Sequence, residues 1–378
     1  MLSFWEKESF LQYDYIIVGS GIVGLSTALS IRDKKPEASI LVLERGILPT
    51  GASTKNAGFA CIGSLTEILD DLSIMREEEV LKLVELRLNG LQLLRKRIGD
   101  KNLQYRERGS YELITKKEVD ALDRMDAVNK LLNPILKSPA FSRADHLISS
   151  FGFNKSMVSH LVQNMLEGEL HTGSMMRALS RICAERGIEI RTGCNVSAIE
   201  EESNSVTVGV AHPYIQQDVS FKAQKLIVCT NAFTATLFPD EDVKPGRGQV
   251  IITDVIENLS FQGIFHFAKG FYYFRELEGR ILFGGGRNLD FDGETSTAFE
   301  YNSKILADLE DKLRNVILPY HTFRIADAWT GIMAFGASKF PIIKQKSHRV
   351  ILGVRMGGMG VAIGSKAGEM LANLATVD

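Results

Sequence analysis

The chain has 378 residues, 45% hydrophobic and 24% charged, which is enough for two or three domains around a large core. A formal net charge of −2 leaves no electrostatic footprint for nucleic acid, and seven scattered histidines with no HxH or HExxH spacing suggest no metal. The acidic N-terminus MLSFWEKESFLQYD lacks the apolar core of a secretory signal, and no run reaches the roughly 18 apolar residues a membrane helix needs. Four cysteines (Cys61, Cys183, Cys194, Cys229) form no CxxC pair and read as core thiols, so a soluble protein of the reducing cytoplasm is expected.

In chain order, a short apolar strand, Tyr15 to Val18, runs into Gly19-Ser20-Gly21-Ile22-Val23-Gly24, a helical stretch, and a second strand ending Leu43-Glu44. Each element suits a dinucleotide. Gly19 permits the tight turn, Gly21 lets a pyrophosphate approach the backbone, and Gly24 lets the helix sit against the sheet. The helix start offers unpaired N–H groups to phosphates, and Glu44, 20 residues beyond Gly24, can accept from a ribose diol. The small polar loop GASTKNAGFA (51–60) is suited to wrapping a pyrophosphate and ribityl chain.

Helical spacing over 66–98 predicts one or two amphipathic helices, then a strand at 111–115 and a charged helix over 117–132, with Pro134 and Pro139 punctuating the next segment. Thr172 is expected to cap a helix with Met175, Met176, Leu179, Ile182 and Cys183 inward and Gly187 at its end. Further strands are expected at IEIRTGCNVSAIEEE, SVTVGV and KLIVCTNA, the last with a run fit for a doubly covered parallel strand. Residues 245–325 read as antiparallel strands interrupted by a polar helix over 301–316. The chain closes as it opened, with strand 350–354, the turn RMGGMG (355–360) and a helix, so two glycine turns from opposite ends could approach one elongated cofactor.

Eight pieces in order resemble the D-amino-acid-oxidase-like FAD-dependent oxidoreductases, the group of glycine oxidase, sarcosine oxidase and γ-glutamylputrescine oxidase: VGSGIVG…LVLERG, GASTKNAGFA, GCNVSAI, IVCTNAFT, KPGRGQV, FYYFRELEGRILFGGGR, WTG and VRMGGMGVAIGSKAGEMLANL. They span nearly the whole chain. The resemblance implies an α/β protein: a Rossmann-like FAD-binding domain with a parallel sheet (13–66, 156–235, 326–378) and a substrate domain with a mixed or antiparallel sheet (67–155, 236–325). It places Gly19, Gly21, Gly24, Glu44 and Arg45 at the nucleotide, and Ser53, Thr54, Lys55, Asn56, Ala57 and Gly58 beside the flavin. Val196 would meet the adenine through its backbone, although a plain strand valine fits equally, and Thr230 and Asn231 would lie near the adenosine or serve as turn formers. Gly357, Gly358, Met359, Gly360 and Val361 would face the flavin pyrimidine, where the helix start favours the negative charge of the reduced ring.

Departures from the pattern matter as much. Relatives that hold an α-amino acid often carry Arg two residues after the Gly of WxG, where this chain has Met333, and no Cys in 325–329 offers a covalent flavin link. Substrate-contact candidates are Tyr272, Tyr273, Arg275, Trp329, Met333 and Arg355, with a solvated Arg275 and an Arg355 paired to a carboxylate as the plainer alternatives. The expected activity is oxidation of the C–N bond of a small amine or amino acid by noncovalent FAD, with oxygen or another electron acceptor. The rivals are an FAD-dependent 2-hydroxy-acid or polyol dehydrogenase, which needs a base not evident in the sequence, an NAD-dependent dehydrogenase, and a flavin-binding subunit of a larger complex.

Overall fold

In the computed structural model, which describes residues 2–211 and 219–377, the strand Gln12–Val18 lies at the centre of an eight-stranded sheet. It is flanked in parallel by Ile40–Leu43 and Val219–Val228, and the apolar Ile16, Ile17 and Val18 are buried because layers cover both faces. Glu189–Arg191 and Val350–Val354 extend the parallel set. Ile342–Gln345 joins antiparallel at one edge, and the hairpin Val196–Glu201/Val206–Val210 pairs with the first half of Val219–Val228.

A second eight-stranded sheet runs Ile325–Phe335, Lys244–Thr253, Arg280–Gly285, Tyr272–Leu277, Ile264–Phe267, Ser110–Ile114, His160–Asn164, Ser142–Arg143. It is antiparallel except where Ile264–Phe267 pairs in parallel with Ser110–Ile114. Its outer face is an aromatic core, with Phe265 stacked on Phe274 at 4.6 Å. Strand alternation then puts Tyr273 and Arg275 on the opposite face, toward the first sheet. The protein is thus a mixed α/β fold with one parallel-centred and one largely antiparallel sheet, as expected.

Three helices back the first sheet. The C-terminal helix Gly360–Thr376 lies on Ile22–Lys34, and the long helix Glu77–Ile98 crosses it where Gly90 has no side chain: a Cβ there would stand 2.0 Å from the carbonyl oxygen of Ala362. Val80, Val84, Leu91 and Leu94 share one core with Ile17 and Leu25. Helical periodicity identifies this apolar face but not its partner, and 67–98 packs with the nucleotide-binding layer rather than with the second sheet. Likewise His160–Asn164 and Ile325–Phe335 are strands of the second sheet, so the expected boundaries at 156 and 326 do not follow sheet membership.

Two smaller expectations change. Thr172 is the first residue of helix Thr172–Glu185 rather than its cap; His171 caps it, its Nδ1 accepting from the Ser174 N–H at 3.1 Å. The helix expected over 117–132 is a 3₁₀ turn, Val119–Arg124, followed by Met125–Leu136, which carries Pro134 in its last turn.

Candidate active site

Between the two sheets lies a cavity of about 630 Å³, within the range of ~300–1,000 Å³ typical of cofactor and small-molecule sites. Both glycine turns reach it. Gly19, at φ +104°, turns the chain out of the first strand, and Gly24 packs so closely that a Cβ would lie 1.9 Å from the Gly19 carbonyl. Gly21 opens the helix, and Ser53 Oγ, accepting from the Ile22 N–H at 3.0 Å, fixes the loop 51–57 beside it. Glu44 is 8% exposed; its carboxylate accepts from the Ser20 N–H at 3.0 Å, the Ser20 hydroxyl at 2.8 Å and the Gly46 N–H at 3.0 Å. Since an ionised carboxyl offers about four lone-pair sites, those three donors orient it and leave capacity for a ribose hydroxyl.

Of the sequence-predicted cofactor residues, Gly19, Gly21, Glu44, Arg45, Ser53, Lys55, Asn56, Ala57, Val196, Thr230, Asn231, Gly357, Gly358, Met359, Gly360 and Val361 line this one cavity. Gly24, Thr54 and Gly58 do not. Gly24 serves helix packing, the Thr54 hydroxyl donates to the Pro49 carbonyl at 2.7 Å, and a Cβ on Gly58 would stand 2.2 Å from the Leu170 carbonyl. Asn231 also links the two halves of the site, its Oδ1 accepting from the Arg355 N–H at 3.1 Å and the Met356 N–H at 3.3 Å at the root of the C-terminal glycine turn. Thr172 donates to Asn56 Oδ1 at 2.9 Å and braces the loop beside it.

On the second-sheet side, Tyr273 and Met333 line the cavity, whereas Arg275 and Arg355 do not. Arg275 is 4% exposed and committed to the chain, Nη1 donating to the carbonyls of Leu170, Gly58 and Ala57 at 2.8, 3.3 and 3.4 Å, with Nε 3.6 Å from Glu169. Arg355 donates to the Asp242 carboxylate at 2.5 Å and to the Phe340 carbonyl at 3.1 Å, the carboxylate pairing considered as the alternative. Trp329 lies behind the loop 51–57, its Nε1 donating to the Lys55 carbonyl at 3.0 Å, and Tyr272 donates to Asp308 at 2.7 Å on the far face.

Among the lining residues that the sequence reading did not single out are His266 and Arg287. His266 stands opposite Tyr273 in the strand register, edge-on to Phe59 at 5.2 Å, with no hydrogen-bond partner on its buried Nε2 among the described residues. Burial pushes its pKa down to about 4, so the ring is neutral at pH 7, and burial likewise pushes the Tyr273 phenol up to about 12. The alternation in FHF could have placed His266 on the Tyr273 face once the two strands were paired. Arg287 follows the strand Arg280–Gly285 after one residue, Gly286; its guanidinium stacks 4.0 Å from the Phe335 ring and 4.8 Å from Phe291. Cys61 and Cys229 also reach the cavity, and burial raises both thiols, Cys229 to about 12.

Sequence comparison decides what this arrangement belongs to. The family model described as "FAD dependent oxidoreductase", DAO, matches residues 14–374. The chain belongs to the DAO family. FAD is therefore its cofactor, and the cradle fits: a glycine turn and helix start, an oriented carboxylate and a second glycine turn all face one elongated cavity. The DAO member is 21% identical to the probable oxidoreductase OrdL of Haemophilus influenzae, over 95% of this chain and 82% of that protein. Among solved structures it resembles L-proline dehydrogenase from P. horikoshii (16% identity, TM-score 0.77, 97% and 94% of the two chains). It also resembles glycine oxidase from Geobacillus kaustophilus (17%, TM-score 0.77, 97% and 95%). The structural likenesses establish the fold of the DAO protein, and the family model establishes its class as an FAD-dependent oxidoreductase. Among the described residues no helix is long and apolar enough to cross a membrane.

Proposed function

We propose that the protein oxidises the C–N bond of a small amine or amino acid to an imine, with FAD held noncovalently. The first sheet with its backing helices and both glycine turns acts as the FAD-binding domain, and the second sheet supplies the substrate wall. When bound, FAD would supply the acceptor for a hydride equivalent from the carbon beside the nitrogen. The observation that carries the reading is the wall itself: Phe59, Tyr273, Met333 and a neutral His266. A neutral amine needs no base to lose a hydride from its α-carbon. Phe59 and Met333 exclude water, which disfavours the ammonium form of the donor, and the neutral His266 adds no charge to the wall. Water then hydrolyses the released imine, and the electrons pass to oxygen or another acceptor.

Noncovalent binding is supported by Cys61 and Cys229, whose raised pKa values keep them as unreactive thiols, and by the lack of cysteine in 325–329. The names of the similar proteins point the same way, since proline and glycine are both C–N donors. Four free cysteines suit a reducing cytoplasm.

A second reading, oxidation of a C–O bond, draws on the free Nε2 of His266, which could accept a hydroxyl proton. Its depressed pKa makes it a weak base, which favours the C–N reading. The test is anaerobic flavin bleaching of the purified protein by amines and amino acids against 2-hydroxy acids and polyols. Bleaching by C–N donors is expected; bleaching by C–O donors alone would overturn the proposal.

A further inference from the structure

Resting on that reading of the cavity, we infer that Arg287 anchors a carboxylate of the substrate. Most other cations of the cavity wall are engaged. Arg87 donates to the Ile62 carbonyl at 2.7 Å and faces Asp71 at 3.8 Å, and Lys269 pairs with Asp70 at 2.7 Å. Arg45 and Lys55 also make no hydrogen bond or ion pair among the described residues; Arg45 lies over Phe233 in the nucleotide half, and Lys55 lies over Phe299, which stacks on Phe233. Arg287 shares that freedom from polar partners but is itself a residue of the second-sheet side, just beyond the strand Arg280–Gly285. No hydrogen bond or ion pair within the described residues engages its guanidinium.

The nearby acid that could have neutralised it is taken. Glu294 is held bidentate by Arg247, Nε to Oε2 at 3.0 Å and Nη2 to Oε1 at 2.9 Å. Phe335 and Phe291 fix the plane of the Arg287 guanidinium, and burial disfavours its charge. Arginine cannot escape that cost by losing a proton, so the group is relieved by an anion, and its planar fork matches a carboxylate.

The geometry also sets the kind of acid. A Cβ on Gly246 would lie 3.4 Å from Arg287 Nη1, and Gly246 is the cross-strand partner of Met333. The guanidinium thus lies against Gly246, on the neighbouring strand to position 333, where similar enzymes carry arginine, and the anchor is set apart from that position by the gap between the two strands. A donor that spans this gap holds its acid several bonds from the reacting nitrogen, as an ω-amino acid does.

The experiment titrates the FAD-loaded protein with pentanoate and with its neutral isostere pentanamide, reading both flavin absorbance and thermal stabilisation. Pentanoate should bind and pentanamide should not. Arg287→Gln should weaken pentanoate by about tenfold or more with FAD content unchanged, and Arg287→Lys should keep part of the affinity. Anaerobic bleaching by 5-aminopentanoate should exceed that by pentylamine and fall toward it in Arg287→Gln. Equal binding of acid and amide, no response to pentanoate, or unchanged affinity in Arg287→Gln would overturn the inference. The acid–amide comparison in wild type holds even if a variant fails to fold. A colourless protein would instead refute the FAD reading, and the thermal comparison would still test Arg287.

Discussion

Arg275 ties three chain segments together: the loop after the short helix Ala52–Lys55 through Ala57 and Gly58, Leu170 just beyond the short strand Gly168–Glu169, and its own strand. Removing it would strand those carbonyls and leave Glu169, 1% exposed, with one cation fewer. Arg275→Ala is therefore expected to cost about 3–5 kcal/mol of stability in urea unfolding, as broken buried pairs do. An unchanged unfolding midpoint would contradict this structural role. The sequence marked Arg275 and Tyr273 as sharing a face, which holds, but a face does not reveal whether carbonyls already occupy it. Arg287 was illegible for the converse reason. Its availability depends on Arg247 claiming Glu294 across 47 residues of chain, a competition that local spacing does not record.

At the scale of elements, Glu112 shows how the second sheet grips a helix of the first layer. From strand Ser110–Ile114 it accepts from the Ser64 hydroxyl at 2.9 Å and the Thr66 N–H at 3.1 Å, at the start of helix Leu65–Ile74. Burial outweighs those donors and raises its pKa to about 7 from 4.5. The folded protein thus keeps this proton where the unfolded chain has lost it. The contribution to stability is full below about pH 4.5 and disappears as pH rises through about 7, by roughly 3 kcal/mol at most. His266, with its lowered pKa, contributes the opposite slope between about 4 and 6.5, so the test is the difference between proteins. Urea midpoints at about pH 5 and about pH 7.5 should fall less with pH in Glu112→Gln than in wild type; parallel curves would contradict the assignment. The glycine turns and their flanking strands were legible because a backbone approach imposes residue type directly. The allegiance of helix Glu77–Ile98 was not, since periodicity defines a face while Gly90 against Ala362 defines its partner.

Across the whole molecule, the first and last strand–turn–helix units lie close in space because Gln12–Val18 and Val350–Val354 both flank Val219–Val228. That is the relation suggested by the echo between the two ends of the sequence, and it brings residues more than 300 positions apart onto one cavity. The domain boundaries were less legible, since strands such as Ile325–Phe335 look alike in sequence whichever sheet they join. The proposed function of the site rests on this cavity holding one FAD, noncovalently, across both turns. The most direct test is the flavin content of the purified protein after acid precipitation, in wild type and in Gly21→Val, whose side chain would crowd Ser53 Oγ, already 2.8 Å from a Cβ at this position. Wild type should release close to one FAD per chain into the supernatant, and Gly21→Val should carry little or none; flavin retained in the pellet, or normal FAD in Gly21→Val, would contradict it.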